Sequence, residues 1–151
     1  MLQTELLRAK RPSRQLHVGL ATCETEILAA QKLRYQVFAE EMGARLSTRI
    51  PGVDRDIYDP FCEHLIVRDE EAGQVVGTYR ILSPDAARRV GGYYSENEFD
   101  LTRLQHLRPR LVEIGRSCIA AEYRSGAVIT LLWAGLARYM LQNRYDYLVG
   151  C

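Results

Sequence analysis

The chain has no charge of one sign to spare. Twenty Lys and Arg side chains stand against nineteen Asp and Glu, for a formal charge of +1. Without a basic excess, a dedicated nucleic-acid-binding surface is disfavoured. Paired cysteines are also missing. Cys23, Cys62, Cys118 and Cys151 form no Cys-x-x-Cys unit, and no histidine lies at ligand spacing from a cysteine pair, which argues against zinc. They read instead as reduced, buried thiols of a cytoplasmic protein. No Gly-x-Ser-x-Gly elbow occurs, no Cys sits beside a His, and His17, His64 and His106 are isolated, so nucleophilic catalysis has no support. A bilayer-spanning run is lacking too. The most apolar stretch, Ala127 to Ala137, contains Thr130 and Gly135 and is too short, and the first fifteen residues hold no signal-peptide core. Lysine is nearly absent, at Lys10 and Lys32 only. The remaining basic residues are arginines, which grip carboxylates and phosphates with two hydrogen bonds.

What is present suits one globular domain: 151 residues, 47% hydrophobic and 26% charged. Residues 1–15 read as a flexible basic segment, with Arg8, Lys10, Arg11 and Arg14 available for an anionic membrane or an acidic partner. Residues 16–151 read as the domain. HVGLA (17–21) predicts a strand. Thr22 reads as the cap of a single amphipathic helix over 23–42, with Arg34 near its apolar face and Gly43 ending it. A long loop over 44–61 follows, rich in charge. EHLIVRD (63–69) and QVVGTYRIL (74–82) predict a hairpin around Glu70-Glu71-Ala72-Gly73. Ser83-Pro84 caps a short helix. Residues 91–108 look irregular, with Phe99, Leu101 and Leu104 turned inward. LVEIGRSCIA (111–120) predicts a strand, residues 127–142 a helix with Trp133 in the core, and DYLVGC (146–151) a last strand. The central hairpin, with crossovers at both ends, implies a mixed sheet with helices on both faces. Because nothing follows DYLVGC to cover it, the fold is expected to continue beyond Cys151.

Three groups have chemical potential. Asp54, Asp56 and Asp59, with Glu63 and His64 behind them, could hold an ammonium group or take its proton, or could be a solvated loop. Glu113 lies in an apolar strand, where a carboxylate is costly unless paired, for instance with Arg80, or functional. Alternation sets Glu113, Gly115 and Ser117 on one face and Ile114 and Arg116 on the other. Arg124-Ser125-Gly126-Ala127 opens a helix, where free N–H groups and the helix dipole favour anions, although an ordinary helix start explains it equally well.

Strand, glycine junction, long helix and strand together resemble the GNAT-type N-acyltransferases. Arg34-x-x-x-Phe38, then Asp56-x-x-Asp59, Arg80 and Glu113-x-x-Arg116, resemble the acyl-homoserine-lactone autoinducer synthases, although the tryptophan those enzymes carry shortly after the Phe is missing. RYQVFAEEMG, DRDIYDPFCEHLIV, GTYRIL, GGYYSENEFDL, VEIGRSCI and YRSGAVITLLWAGLARYM are similar throughout to the bacterial ornithine N-acyltransferases, relatives of the long-chain N-acyl amino acid synthases. That likeness spans residues 16–151.

The resemblance implies an α/β, GNAT-like fold with a mixed, mostly antiparallel central sheet and helices on both faces, truncated at the C-terminus. It implies transfer of a 3-hydroxyacyl chain from the phosphopantetheine thioester of acyl carrier protein to the α-amino group of L-ornithine, giving lyso-ornithine lipid. No bound cofactor and no metal are implied. By the same resemblance Glu113 and Asp59 are the catalytic candidates, with Glu113 as base directly or through a water. Arg34, Phe38, Asp56, Arg80 and Arg116 are the substrate-side candidates, and several of these charges could instead order the loop. Ile119 and Ala120 would face the pantetheine, and Arg124, Ser125, Gly126 and Ala127 its phosphate. Arg88, Arg89, Arg103, Arg108 and Arg110 offer a docking patch for the acidic carrier protein. The implied location is cytoplasmic, with peripheral contact at the inner face of the membrane. The alternatives are another N-acyl amino acid or acyl-homoserine-lactone synthase, or a non-catalytic fragment that binds acyl carrier protein.

Overall fold

The computed structural model describes residues 14–151, so the basic run from Arg8 to Arg11 lies outside the described residues. Five strands form one sheet in chain order: β1 (Leu16–Leu20), β2 (Glu63–Asp69), β3 (Gln74–Leu82), β4 (Leu111–Ile119) and β5 (Tyr147–Val149). The first three pairings are antiparallel and β4–β5 is parallel. Only the last connection is therefore a parallel crossover. The expected crossover after β1 is instead an antiparallel return onto the neighbouring strand.

Helices α1 (Glu24–Tyr35) and α3 (Ala127–Asn143) cover opposite faces, and the short α2 (Pro84–Val90) follows β3. Behind α3 the strands bury Leu65, Val67, Val76, Ile81 and Val112 against Val128, Leu132 and Leu136. Two glycines set how closely helix and sheet approach. A Cβ on Gly77 of β3 would lie 2.4 Å from Val128, and one on Gly135 would lie 2.8 Å from Val18. Burial of each large apolar side chain here contributes about 1.5–3 kcal/mol.

Local sequence rules explain several element ends. Ser83 accepts from the Ala86 N–H with Pro84 in the first turn, and Gly91 closes α2 at φ +103°. The hairpin turn between β2 and β3 holds Gly73 at φ +64°.

Other expectations fail. The single helix over 23–42 is an α-helix that widens into a π-helical turn at Gln36–Glu41. Cys23, not Thr22, is its cap, because the Cys23 carbonyl accepts the first helical N–H groups, from Glu26 and Ile27 at 3.1 Å, while Thr22 bonds the Glu26 carboxylate. The segment after α2 is wound into 3-10 turns at Tyr94–Asn97 and Thr102–Arg110. In it Leu101 is buried, but Phe99 is 59% exposed. Trp133 is half-exposed and rests edge-on against Tyr79 rather than entering the core. Of the four thiols only Cys118 is buried; Cys62 is partly covered, and Cys23 and Cys151 are exposed. No helix among the described residues is long and apolar enough to cross a membrane.

Candidate active site

The α1 face of the sheet carries the charges. Arg34, on the inner side of α1, is fully buried. Its Nε donates to Asp54 at 2.9 Å and its Nη2 to Asp59 at 2.7 Å, with a further bond to the Asp54 carbonyl. Arg80 of β3 donates to Asp56 at 2.7 Å and to Asp59 at 3.0 Å. Arg116 of β4 donates to Asp56 at 3.5 Å, and its Nε lies 3.2 Å from Asp54, an ionic contact whose angle makes no hydrogen bond. Arg34, Arg80 and Arg116 thus neutralise Asp54, Asp56 and Asp59 in one interlocked network. The acidic end of the loop after α1 is consequently tied down by buried ion pairs, not left as solvated charge.

Asp59 is the hub of the network. One carboxylate oxygen accepts from Arg34 and, at 3.3 Å, from Gln31. The other accepts from Arg80 and, at 3.0 Å, from the Asp56 N–H. Burial pushes its carboxyl up, but Arg34 and Arg80 more than offset this and hold it well below the usual carboxylate range. Both oxygens are committed and the residue is sealed from solvent. His64 sits behind it, with Nε2 at 3.8 Å from Asp59 and neither ring nitrogen hydrogen-bonded within the protein. Burial, and then Arg34, depress the His64 pKa, which keeps the ring neutral.

Arg116 reaches this network through a fault in the strand. Thr78 pairs with Cys118 and Arg80 with Gly115, so Arg116 and Ser117 together oppose Tyr79. Arg116 takes φ +51° in this bulge. The extra residue changes which side chains share a face. Ile114 and Ile119 pack with the α3 core, whereas Cys118 packs with Leu33 and Val37 on the α1 side. Alternation had set Arg116 opposite Glu113; the bulge brings it to the α1 side instead.

Glu113 does not pair with Arg80. Its carboxylate accepts from the Tyr94 N–H at 2.7 Å, the Ser95 N–H at 2.6 Å and the Ser95 hydroxyl at 2.5 Å. These donors open the 3-10 turn that follows α2, so the carboxylate caps that turn's positive end. Tyr94 also touches the ionic network: its ring centroid is 5.9 Å from the Arg80 guanidinium carbon and 5.4 Å from that of Arg116. Arg80, Tyr94, Glu113 and Gly115 line one recess of about 20 Å³, beside the junction of β4 and β5.

The remaining candidates surround this centre. Phe38 packs against the cluster of Leu33, Val37 and Cys118. Ile119 ends β4 and Ala120 follows it. Arg124 is half-engaged, its Nη2 donating to Glu41 at 2.7 Å and its Nε to the Ile119 carbonyl at 2.9 Å. Gly126 precedes α3 at φ +105°, and no side chain caps the N–H groups that begin with Ala127; Ser125 adds no bond there. Among the proposed docking arginines, Arg88, Arg108 and Arg110 are paired with Asp85, Glu96 and Asp146. Sequence reasoning missed Tyr94 and Ser95, which lie in a segment without periodicity. The run Tyr93-x-x-Glu96 held the available signal, since Glu96 closes onto the Tyr93 N–H at 2.7 Å and fixes that turn. Among the described residues no cluster of His, Cys, Asp and Glu could hold a metal ion.

Residues 33–134 match the model of an acetyltransferase (GNAT) domain. The chain is 43% identical to an L-ornithine N(alpha)-acyltransferase of Brucella abortus and 42% identical to one of Agrobacterium fabrum, over 90% of its own length in each case. It spans about half the length of these curated relatives, 52% and 50%. Among solved structures, the acyl-homoserine-lactone synthase LasI superposes with a TM-score of 0.67 at 26% identity, over 91% of this chain and 72% of that one. FeeM, an N-acyl amino acid synthase from uncultured soil microbes, also gives 0.67, over 91% and 71%; at 16% identity it speaks for the fold alone.

Proposed function

Because this chain belongs to the GNAT acetyltransferase family, we propose that it acts as an N-acyltransferase whose acceptor is the α-amino group of L-ornithine. The observation that carries this reading is the likeness, at 42–43% identity over 90% of the chain, to proteins named for that reaction. The donor in this reading is a 3-hydroxyacyl thioester on acyl carrier protein, and the product a lyso-ornithine lipid. The transfer needs no covalent enzyme intermediate. The amine nitrogen attacks the thioester carbonyl, a C–N bond forms, the C–S bond breaks, the amine gives up a proton and the sulfur leaves as a thiol.

The site geometry supports a division of labour. A carboxylate offers about four acceptor positions, and three on Glu113 are taken by Tyr94 and Ser95. The fourth is left for a donor in the recess, whose 20 Å³ suits one water molecule. Glu113 would take the amine proton through that water. Asp59, Arg34 and Arg80 are committed to one another, so their part is to brace the loop rather than to touch substrate. Asp56 and Arg116 keep 16% and 25% side-chain exposure. They are the members able to meet the ammonium and carboxylate of an amino acid. The uncapped start of α3 beside Arg124 would meet the pantetheine phosphate.

Mass spectrometry of the chain with 3-hydroxyacyl carrier protein and an equimolar amino acid mixture tests the reading. A hydroxyacyl-ornithine mass is expected. Another acylated amino acid would replace the acceptor, and intact donor without product would overturn catalysis by this chain. Glu113→Gln should lower turnover at least about a hundredfold while sparing carrier-protein binding.

A further inference from the structure

The segment from Met42 to Tyr58 sorts its charges by side. Its carboxylates, Asp54 and Asp56, turn inward onto Arg34, Arg80 and Arg116. Its arginines, Arg45, Arg49 and Arg55, are exposed, and among the described residues no ion pair engages them. Elsewhere on the surface Arg88, Arg108 and Arg110 each hold a carboxylate, whereas Arg89, Arg103, Arg138 and Arg144 make no ion pair among the described residues. The same segment leaves Ile57 71%, Met42 70% and Ile50 46% exposed. Arg49, Ile50, Arg55 and Ile57 line one open groove of about 590 Å³ together with Asp56, whose charge Arg80 and Arg116 already hold. A segment with three arginines and two aspartates in its sequence therefore shows solvent a face that is mainly cationic and apolar together.

Water solvates guanidinium groups well and isoleucine side chains poorly. The boundary of an anionic bilayer satisfies both, with phosphates for the arginines and acyl chains for Ile50 and Ile57. We propose that this loop face docks the protein on an anionic phospholipid surface, with Ile50 and Ile57 entering below the headgroups and Arg45, Arg49 and Arg55 pairing with phosphates. The inference stands on charge and exposure and does not require the acyl-transfer reading, although an N-acylated amino acid would be an amphiphile best released at such a surface.

Vesicle flotation tests it without any turnover. The full chain should float with vesicles of phosphatidylglycerol and phosphatidylcholine in equal parts, and stay behind with phosphatidylcholine alone. Each arginine near the surface is worth about a fivefold gain in partitioning. The double variant Arg49→Gln/Arg55→Gln should therefore bind roughly thirtyfold more weakly, and Ile50→Ser/Ile57→Ser should lose binding even at low salt. Circular dichroism of both variants should match the parent, since none of these side chains is buried. Equal flotation with both vesicle types, no flotation with either, or arginine variants that float like the parent would overturn the proposal. The last result would move the contact to the basic run before residue 14. Arginine-dependent binding to acyl carrier protein with no vesicle binding would overturn it in favour of an acidic protein partner. Each of these failures leaves the acyl-transfer assay untouched.

Discussion

On the α3 side of the sheet, the central strands bury Leu65, Val67, Val76, Ile81 and Val112, and the helix answers with Val128, Leu132 and Leu136. On the α1 side, neighbouring positions of those strands bury His64, Thr78, Arg80 and Glu113, and the helix answers with Gln31 and Arg34. The two faces lie one side chain apart along each strand yet obey different energetics. Apolar burial is graded, and loses free energy in proportion to the atoms removed. A buried ionic network is close to neutral when complete and strongly unfavourable when one partner is missing. The apolar face supplies stability, and the ionic face fixes one arrangement of the loop beside Glu113.

The harshest way to break this contrast is Asp59→Ala. It takes one of two carboxylates from each of Arg34 and Arg80, leaves the buried network one cation in excess and should cost about 3–5 kcal/mol, read as a fall in the urea midpoint. Adding Arg34→Met should recover part of that loss, since it restores the balance of two arginines against two aspartates. If the double variant were less stable than Asp59→Ala, the ionic face would be governed by packing instead. Leu132→Ala on the other face should cost about 2–5 kcal/mol through its cavity. It should leave the order of the 54–59 loop unchanged by hydrogen exchange.

Acid sharpens the same contrast. The folded-state pKa of Asp59 is depressed, so its contribution is present above the ordinary carboxylate range and is lost as pH falls through the folded value. His64 is also depressed, so its contribution is complete above about 6.5 and declines as pH falls below that. Urea midpoints should therefore fall below about pH 6.5, and again below about pH 4. His64→Leu should flatten the first decline, and Asp59→Asn the second. The smallest effect is chemical: Cys23 and Cys151 should react quickly with a thiol reagent. Cys118 and Cys62, whose thiols burial pushes up to about 12, should react slowly.

Much of this frame is written locally. The β2–β3 hairpin, the Ser83-Pro84 start of α2 and the long α3 follow from alternation, capping residues and helical spacing, each set by atoms a few residues apart. The chemical residues are legible by type for a related reason: an arginine on the apolar side of α1 and a glutamate inside β4 are too costly to bury without partners. Their partners are not legible. Asp54 and Asp59 meet Arg34 across 20 and 25 positions, and Ser95 meets Glu113 across 18. Period-2 reasoning fails at Arg116, because one inserted residue reverses which face every later side chain takes. Solvent exposure escapes the sequence as well: Trp133 reads as core and lies half-open, while Asp54 reads as a loop charge and lies buried. The sequence by itself determined where helices, strands and costly charges occur, because propensity and burial cost belong to single residues and their near neighbours. The tertiary structure alone decided which charge neutralises which, that Glu113 rests on Tyr94 and Ser95, and that the arginines of the 42–58 segment face outward. Those outcomes depend on distances between segments, which no local pattern contains.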